Sequence, residues 1–505
     1  MKNFKKSITH LTMIFLLTGL VLSCVGASQA SKKAECFGIF EISMKGPKEG
    51  NPFLDVQLSA QFKQKDRIIK VRGFYDGNGI YRIRFMPDIE GSWTYQTKSN
   101  RSELDNKTGK FTCIKASKGN HGPVRVQNTY HFAYADGTSY FPIGTTCYAW
   151  VHQGKKLEEQ TLTTLRNAPF NKIRMCAFPK DYIYNKNEPE YYPFEGKPLK
   201  DWDFTRFNPE FFQHLEKRIG DLRDLGIQAD IILFHPYDRW GFKDMGYENN
   251  VRYLKYLIAR LAAYRNVWWS LANEFDLLDW PMSDWDKYFQ LIRDEDPYNH
   301  PRSVHNCVVW YDHTKPWVTH ASLQTAAMES GDEFRKKYKK PVIFDEVQYE
   351  GNIGMLWGNI TARELVRRFW IGTVCGCYVT HGETYEDPND ILWWSKGGIL
   401  HGESPKRIAF LKRILSEGPP GGIDPIKGDW TWQNSVAGKE GEYYLFYFGV
   451  HQPSYWTLPS KGENYQIDVL DTWNMTITPI GAYKAGSRIK LPGKPYIALR
   501  IRKIR

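Results

Sequence analysis

The 505-residue chain lacks any apolar run long enough to cross a bilayer. A spanning helix needs roughly 20 apolar residues, and the longest candidate, Leu11 to Leu22, is about half that. Glycine-rich phosphate-binding loops and cofactor motifs are also missing, so no cofactor is expected. No pair of CxxC motifs has zinc-site spacing, so no metal of that kind is expected either. Acidic residues are in deficit and the formal net charge is +12, yet there is no long Lys/Arg block. The densest basic run, Arg335-Lys336-Lys337-Tyr338-Lys339-Lys340, precedes an apolar stretch and reads as a solvated helix end rather than a nucleic-acid patch. Nucleic acid is therefore not an expected partner.

Cysteine is sparse, with eight residues. Cys36 and Cys113 flank one predicted β-domain and could pair in an oxidising compartment. Cys147, Cys176, Cys307, Cys375 and Cys377 fall in or near predicted apolar strands and read as small buried thiols. What the chain has in excess is aromatic side chains: 15%, with 18 Trp and 30 Tyr. Such a content suits large β-rich cores. It also suits carbohydrate binding, because aromatic faces stack on the C–H faces of sugar rings.

Lys2, Lys5 and Lys6 followed by the short apolar run have the form of an export signal, residues 1–24. Its end, Val21-Leu22-Ser23-Cys24, resembles a bacterial lipobox, which implies a lipid on Cys24 as the only membrane attachment. The alternative is a cleavable signal ending near Ala27 or Ala30. The expected location is outside the cytoplasm, at the periplasm or outer membrane.

Residues 36–120 alternate in short β-like runs, such as Val56-Gln-Leu-Ser-Ala-Gln-Phe and Ile80-Tyr-Arg-Ile-Arg-Phe, separated by turn residues. This predicts a β-sandwich. Residues 124–416 switch to alternating strand and helix. Eight strands are predicted: 140–146, 172–178, 229–235, 267–273, 302–306, 317–323, 342–346 and 376–381. Phe211–Leu225 carries apolar residues at helical spacing and stops before Gly226, a favourable residue just past a helix end. Eight βα units over this length predict an α/β fold of the (β/α)₈ TIM-barrel type. After Gly418-Pro-Pro-Gly-Gly, residues 422–505 alternate again and predict a small C-terminal β-sandwich.

Two barrel strands end in acids. Val267-Trp-Trp-Ser-Leu-Ala runs into Asn273-Glu274, and Pro341-Val-Ile-Phe runs into Asp345-Glu346. Strand C-termini open into the active-site mouth of such barrels. Paired carboxylates there suit retaining glycoside hydrolysis, in which one acid protonates the leaving oxygen and the other attacks the anomeric carbon. Asp345 points to the opposite face from Glu346 on a strand and ranks lower.

Asn-Glu at the fourth strand and Glu at the seventh resemble the clan A glycoside hydrolases. The strand–turn–strand Met86-Pro-Asp-Ile-Glu-Gly-Ser-Trp-Thr-Tyr and the barrel opening Tyr140-Phe-Pro-Ile-Gly-Thr-Thr-Cys-Tyr are similar to the apiosidase-like barrels of bacterial polysaccharide degraders. The resemblance implies a glycan substrate, Glu274 as acid/base, Glu346 as nucleophile, and Asn273 bonding a sugar 2-hydroxyl. Further substrate-binding candidates at strand ends are Arg174, which could orient the nucleophile through a bidentate contact, His235, His320, Tyr148, His381 and Trp394. Glu383 stands near the place where many clan A enzymes carry a Trp, and could compete for an acid role. Two rival readings remain open. One is a non-catalytic glycan-binding lipoprotein on a barrel scaffold. The other is a metal-dependent barrel hydrolase using His235, His305, His320 and His381, which the absence of histidine on the first strand disfavours. The sequence carries no signal for the sugar, the linkage or the oligomeric state.

Overall fold

The computed structural model describes residues 32–199, 201–389, 392–428 and 434–504. The export signal and Cys24 lie outside the described residues. Among those residues no helix is long and apolar enough to cross a membrane.

The centre is an eight-stranded parallel barrel. Its strands are β1 (Ile143–Thr146), β2 (Lys172–Cys176), β3 (Gln228–Phe234), β4 (Val267–Ala272), β5 (Arg302–Ser303), β6 (Ala321–Gln324), β7 (Val342–Glu346) and β8 (Tyr378–His381). They pair in the order β5-β4-β3-β2-β1-β8-β7-β6. The last seam, between β5 and β6, is closed by one parallel bridge, His305 to Ser322. Every residue of β3 and β4 is buried. Parallel strands covered on both faces need such unbroken apolar runs. The outer helices form where the apolar spacing is helical. In Pro209–Asp224, Asn208 accepts a hydrogen bond from the Glu210 amide, Pro209 opens the first turn, and Phe211, Phe212, Leu215, Ile219 and Leu222 face inward. Gly226, at φ +74°, ends it.

Several strands are shorter than the sequence reading, β2, β5 and β8 among them, and two boundary changes carry consequences. The predicted first strand divides at Pro142. Ser139–Tyr140 joins a three-stranded antiparallel cap with Val124–Gln127 and His131–Tyr134, and only Ile143–Thr146 enters the barrel. Proline has no N–H to give a ladder. The predicted sixth strand starts four residues later, at Ala321. That shift moves His320 from a strand end to a strand beginning. The cap seals this lower end of the barrel. Phe132 packs on Trp268 (centroids 5.1 Å) and His320 (5.8 Å).

Inside the barrel, buried Lys172 bridges Asp230 (2.7 Å) and Asp345 (2.8 Å). Asp345 also accepts from Ser322 Oγ (2.6 Å) and Thr380 Oγ1 (2.7 Å). Charges this deep persist only when paired and hydrogen-bonded.

The N-terminal sandwich stacks a five-stranded sheet on a three-stranded one over Phe40, Phe62, Phe85, Trp93 and Phe111. It docks on the barrel helices through Arg84–Glu216 (2.8 Å) and Arg260–Asp76 (2.7 Å). Cys36 and Cys113 sit side by side in it, with sulfurs 3.0 Å apart. The C-terminal unit is a six-stranded sheet with an added two-stranded ribbon. It packs on the helix Ala362–Val374, where Trp370 stacks on Tyr447 (5.5 Å). The fold is thus a TIM barrel flanked by two β-domains.

Candidate active site

β4 and β7 deliver Glu274 and Glu346 to one cavity of about 410 Å³ at the C-terminal end of the barrel. Its walls are Tyr148, Lys180, Tyr182, Tyr237, Tyr349, Trp357 and Trp394, with Asn273, Cys307 and Gln324 beside the acids. Glu274 has left-handed backbone angles, φ +50° and ψ +55°. For a residue with a Cβ this costs about 1–2 kcal/mol. Strain of this kind is retained where it aims a functional group.

The two carboxylates differ in environment. Glu274 accepts a short hydrogen bond from the Tyr237 hydroxyl and one from Asn273 Nδ2 at 3.3 Å. In the orientation that satisfies its neighbours, the Gln324 amide also donates to Glu274 Oε1 at 3.1 Å. Burial, with the Glu346 charge next to it, pushes Glu274 above the ordinary carboxyl range; Tyr237, Lys180 and His305 oppose this. Burial also works against the Glu346 anion. There, however, His305, Arg174 and the Tyr148 hydroxyl outweigh it and hold the group at about 2. His305 Nε2 lies 3.5 Å and Arg174 Nη1 3.7 Å from Glu346 Oε1, and Tyr148 donates a short hydrogen bond to the same oxygen. The two carboxyl groups are thus pushed in opposite directions within a single cleft, Glu274 upward and Glu346 downward.

Arg174 is fully buried, but the expected bidentate clamp on Glu346 is not what it forms. Its two terminal nitrogens donate to the Tyr148 hydroxyl (3.3 Å) and to Asn273 Oδ1 (3.2 Å). Asn273 consequently has its carbonyl held by Arg174 and its amide directed to Glu274. Tyr148 reaches the cavity chiefly as a hydroxyl donor rather than as a free stacking face. Trp394 lines the cavity, edge-to-face with Tyr148 (5.5 Å).

Four candidates from the sequence lie elsewhere. His320 sits at the lower end of the barrel between Phe132 and Trp268. His235 is buried below the cavity, its Nε2 3.2 Å from the Phe178 carbonyl, and burial pushes it down to about 3. His381 turns away from the cavity to Thr145 Oγ1 (3.0 Å) and stacks under Phe170 (4.7 Å). Glu383 is buried outside the lining, where it accepts from the His401 (2.5 Å) and Gly402 (2.9 Å) amides. Burial, with Glu350 beside it, raises it to about 8, but it does not face the acids. Of the four histidines of the metal-hydrolase reading only His305 reaches the acids, 3.5 Å from Glu346 Oε1, so the four do not converge on one point. Among the described residues, the one group of side chains spaced to hold a metal is Glu350, His381 and Glu383.

Lys180, which follows the end of β2, was missed by the sequence reading. Its ammonium sits over Tyr148 (3.8 Å), Tyr237 (4.2 Å) and Trp394 (5.0 Å), and burial lowers its pKa. Tyr237 stands two residues past His235 in the stretch already singled out, so its position after a strand end was a usable signal. His305 was marked only as a ligand of the rival metal reading, not as a partner of Glu346, and Gln324 at the end of the short β6 had no signal.

Comparisons with known proteins bear on the family and the fold. Residues 126–448 match the family described as apiosidase-like, catalytic domain. Residues 33–100 and 432–502 match two domains of unknown function, DUF5060 and DUF5605. Among curated proteins none matches. The crystal structure of a candidate glycoside hydrolase from Bacteroides vulgatus ATCC 8482 is 41% identical, with TM-score 0.90, over 94% of this chain and 100% of that one. A glycoside hydrolase family 5 structure from the same organism shares the fold at 15% identity, TM-score 0.58, over 76% of this chain and 94% of that one. The barrel, its two β-domains and the matching catalytic-domain family together make this chain a member of the apiosidase-like glycoside hydrolases.

Proposed function

We propose that the protein is an exported, retaining glycoside hydrolase acting on a plant or microbial glycan. Glu346 attacks the anomeric carbon, and Glu274 protonates the departing oxygen and then deprotonates the incoming water. The observation that carries this reading is that two acids meet in one cavity and are pushed in opposite directions, Glu274 upward by burial and its neighbour's charge, Glu346 downward by His305, Arg174 and Tyr148. Such a split assigns acid and nucleophile. Asn273, fixed by Arg174, is suited to donate to the sugar 2-hydroxyl. The aromatic walls are suited to stacking on pyranose or furanose faces. The lipobox-like segment supports a lipid-anchored extracytoplasmic location.

The test begins with purified protein screened against plant and microbial glycans, followed by proton NMR of the first-formed anomer. Net retention is expected. Glu346→Ala should abolish product release while circular dichroism stays native. Inversion, or full activity in that variant, would overturn the assignment. A scaffold that only binds would show no turnover, and its affinity would survive Glu274→Gln.

A further inference from the structure

Behind the cavity wall, three chemistry-bearing side chains meet outside the active site. Glu350 lies four residues past the nucleophile, in the short strand Glu350–Gly351. It pairs in parallel with Glu383–Thr384, which follows β8, so that Glu350 and Glu383 are direct neighbours. Like charges opposite each other across strands are destabilising, and both residues are buried to 1% exposure or less.

Backbone amides answer only part of this charge. Glu350 Oε1 accepts from Glu403 N (2.7 Å) and the Tyr385 hydroxyl (2.9 Å), and its Oε2 accepts from Ser404 N (3.1 Å). Glu383 Oε1 accepts from His401 N and its Oε2 from Gly402 N. Each Oε2 thus uses one lone pair and keeps another. Both Oε2 atoms flank the same point: a Cβ on Gly402 would stand 2.5 Å from Glu383 Oε2 and 2.7 Å from Glu350 Oε2. Only glycine leaves the carboxylates room there.

An independent feature points to a ligand. His381 is fully buried, and its Nε2 has no hydrogen-bond partner. That atom faces Glu383 Oε2 at 4.0 Å. The gap is too long for a hydrogen bond. It lies within the ~4.4 Å that two ligands of one cation can span at about 2.1–2.2 Å each. The other ring nitrogen is tied to Thr145 Oγ1, which in turn accepts from Trp393 Nε1 (2.8 Å). Fixing Nδ1 by a hydrogen bond is how proteins orient a metal-binding imidazole. Ser404, next to Glu403, adds a second buried polar atom without a partner, its hydroxyl. One oxygen or nitrogen from each of the three side chains lies within 4.8 Å of the others.

We propose that Glu350, Glu383 and His381 bind a divalent transition cation of the zinc or manganese type. The mixed nitrogen and oxygen donor set favours such ions over magnesium. None of the three residues lines the catalytic cavity, so the role is structural. The ion ties the segment after β7, the end of β8 and the start of the helix Ser404–Ser416 behind the wall that carries Tyr349 and Trp394.

The full chain, stripped with chelator and dialysed, is titrated with Zn²⁺, Mn²⁺ and Mg²⁺ by calorimetry and differential scanning fluorimetry. About one Zn²⁺ or Mn²⁺ per chain should bind and raise Tm by at least about 3 °C, with a much weaker response to Mg²⁺. His381→Ala and Glu383→Gln should abolish the shift. Anomalous scattering from wild-type crystals at the metal edge reads the same question without a variant, and its peak should lie among the three side chains. Failure of wild-type protein to take up Zn²⁺ or Mn²⁺, unaltered binding in His381→Ala, or a peak elsewhere would overturn the proposal.

Discussion

Replacing Tyr237 by Phe isolates the protonation state of Glu274, the property on which the catalytic reading rests. The Tyr237 hydroxyl donates to Glu274 Oε2 and favours its anion. A hydrogen bond to a charged group contributes about 1.5–3 kcal/mol. One pKa unit corresponds to about 1.4 kcal/mol, so the Glu274 carboxyl should rise by roughly 1–2 units in Tyr237→Phe. The sign follows from the role: an acid that must be protonated sets the alkaline limb of kcat/KM, and that limb should therefore move upward. The acid limb belongs to Glu346, which keeps Tyr148, Arg174 and His305. Between the limbs Glu274 is neutral, so its altered pKa leaves the lower limb in place. Because the two carboxylates are close enough to interact, the values read are those of the pair. The assay is the pH profile of kcat/KM for wild type and variant on the glycan identified by screening. An alkaline limb that stays put or moves down would refute the argument, since Glu274 would then not be the group whose proton is required.

Tyr148→Phe should lower kcat/KM by about 10- to 100-fold and move the acid limb upward, because a donor to the Glu346 anion is lost; an unchanged acid limb would contradict this. Lys172→Met removes the shared cation from buried Asp230 and Asp345, leaving Asp230 only Arg174 Nε at 3.8 Å. It should cost about 3–5 kcal/mol in urea unfolding followed by circular dichroism, and stability within 1 kcal/mol of wild type, about the scale of a surface pair, would show that those acids are otherwise compensated. Trp394→Ala removes a ring from the cavity wall and should raise KM about 3- to 10-fold, the scale of aromatic contact energies, which initial-rate kinetics would detect.

The barrel was legible because its strongest strands, β3 and β4, are apolar without interruption and buried on both faces. Periodicity alone located them to within a residue. It failed where another constraint acted. Pro142 removes an N–H in the middle of an otherwise good strand pattern, and β5 keeps only Arg302 and Ser303 in the ladder. At β6 the error had a functional consequence. Starting that strand at Trp317 turned His320 into a candidate ligand-binding residue, whereas a start at Ala321 makes it part of the lower seal beside Phe132 and Trp268.

The site was legible to the same depth and no further. A strand end that breaks from apolar residues into Asn-Glu or Asp-Glu is an energetic anomaly visible in one dimension, and it marked Asn273, Glu274 and Glu346, which line one cavity. Which groups tune those acids depends on where side chains from other strands converge. Arg174 shows the difference: its charge, its strand and its burial were readable, but its partners were not, and it orients Asn273 and Tyr148 instead of gripping Glu346. His381 and Glu383 were noticed for the same reason as the acids, as polar residues at a strand end. They turn outward from the cavity and meet Glu350, a residue no strand pattern had marked. Polar residues at barrel strand ends therefore signal buried charge that must be answered. Whether the answer is a substrate, an ion pair or a cation is decided by which way each side chain leaves the sheet.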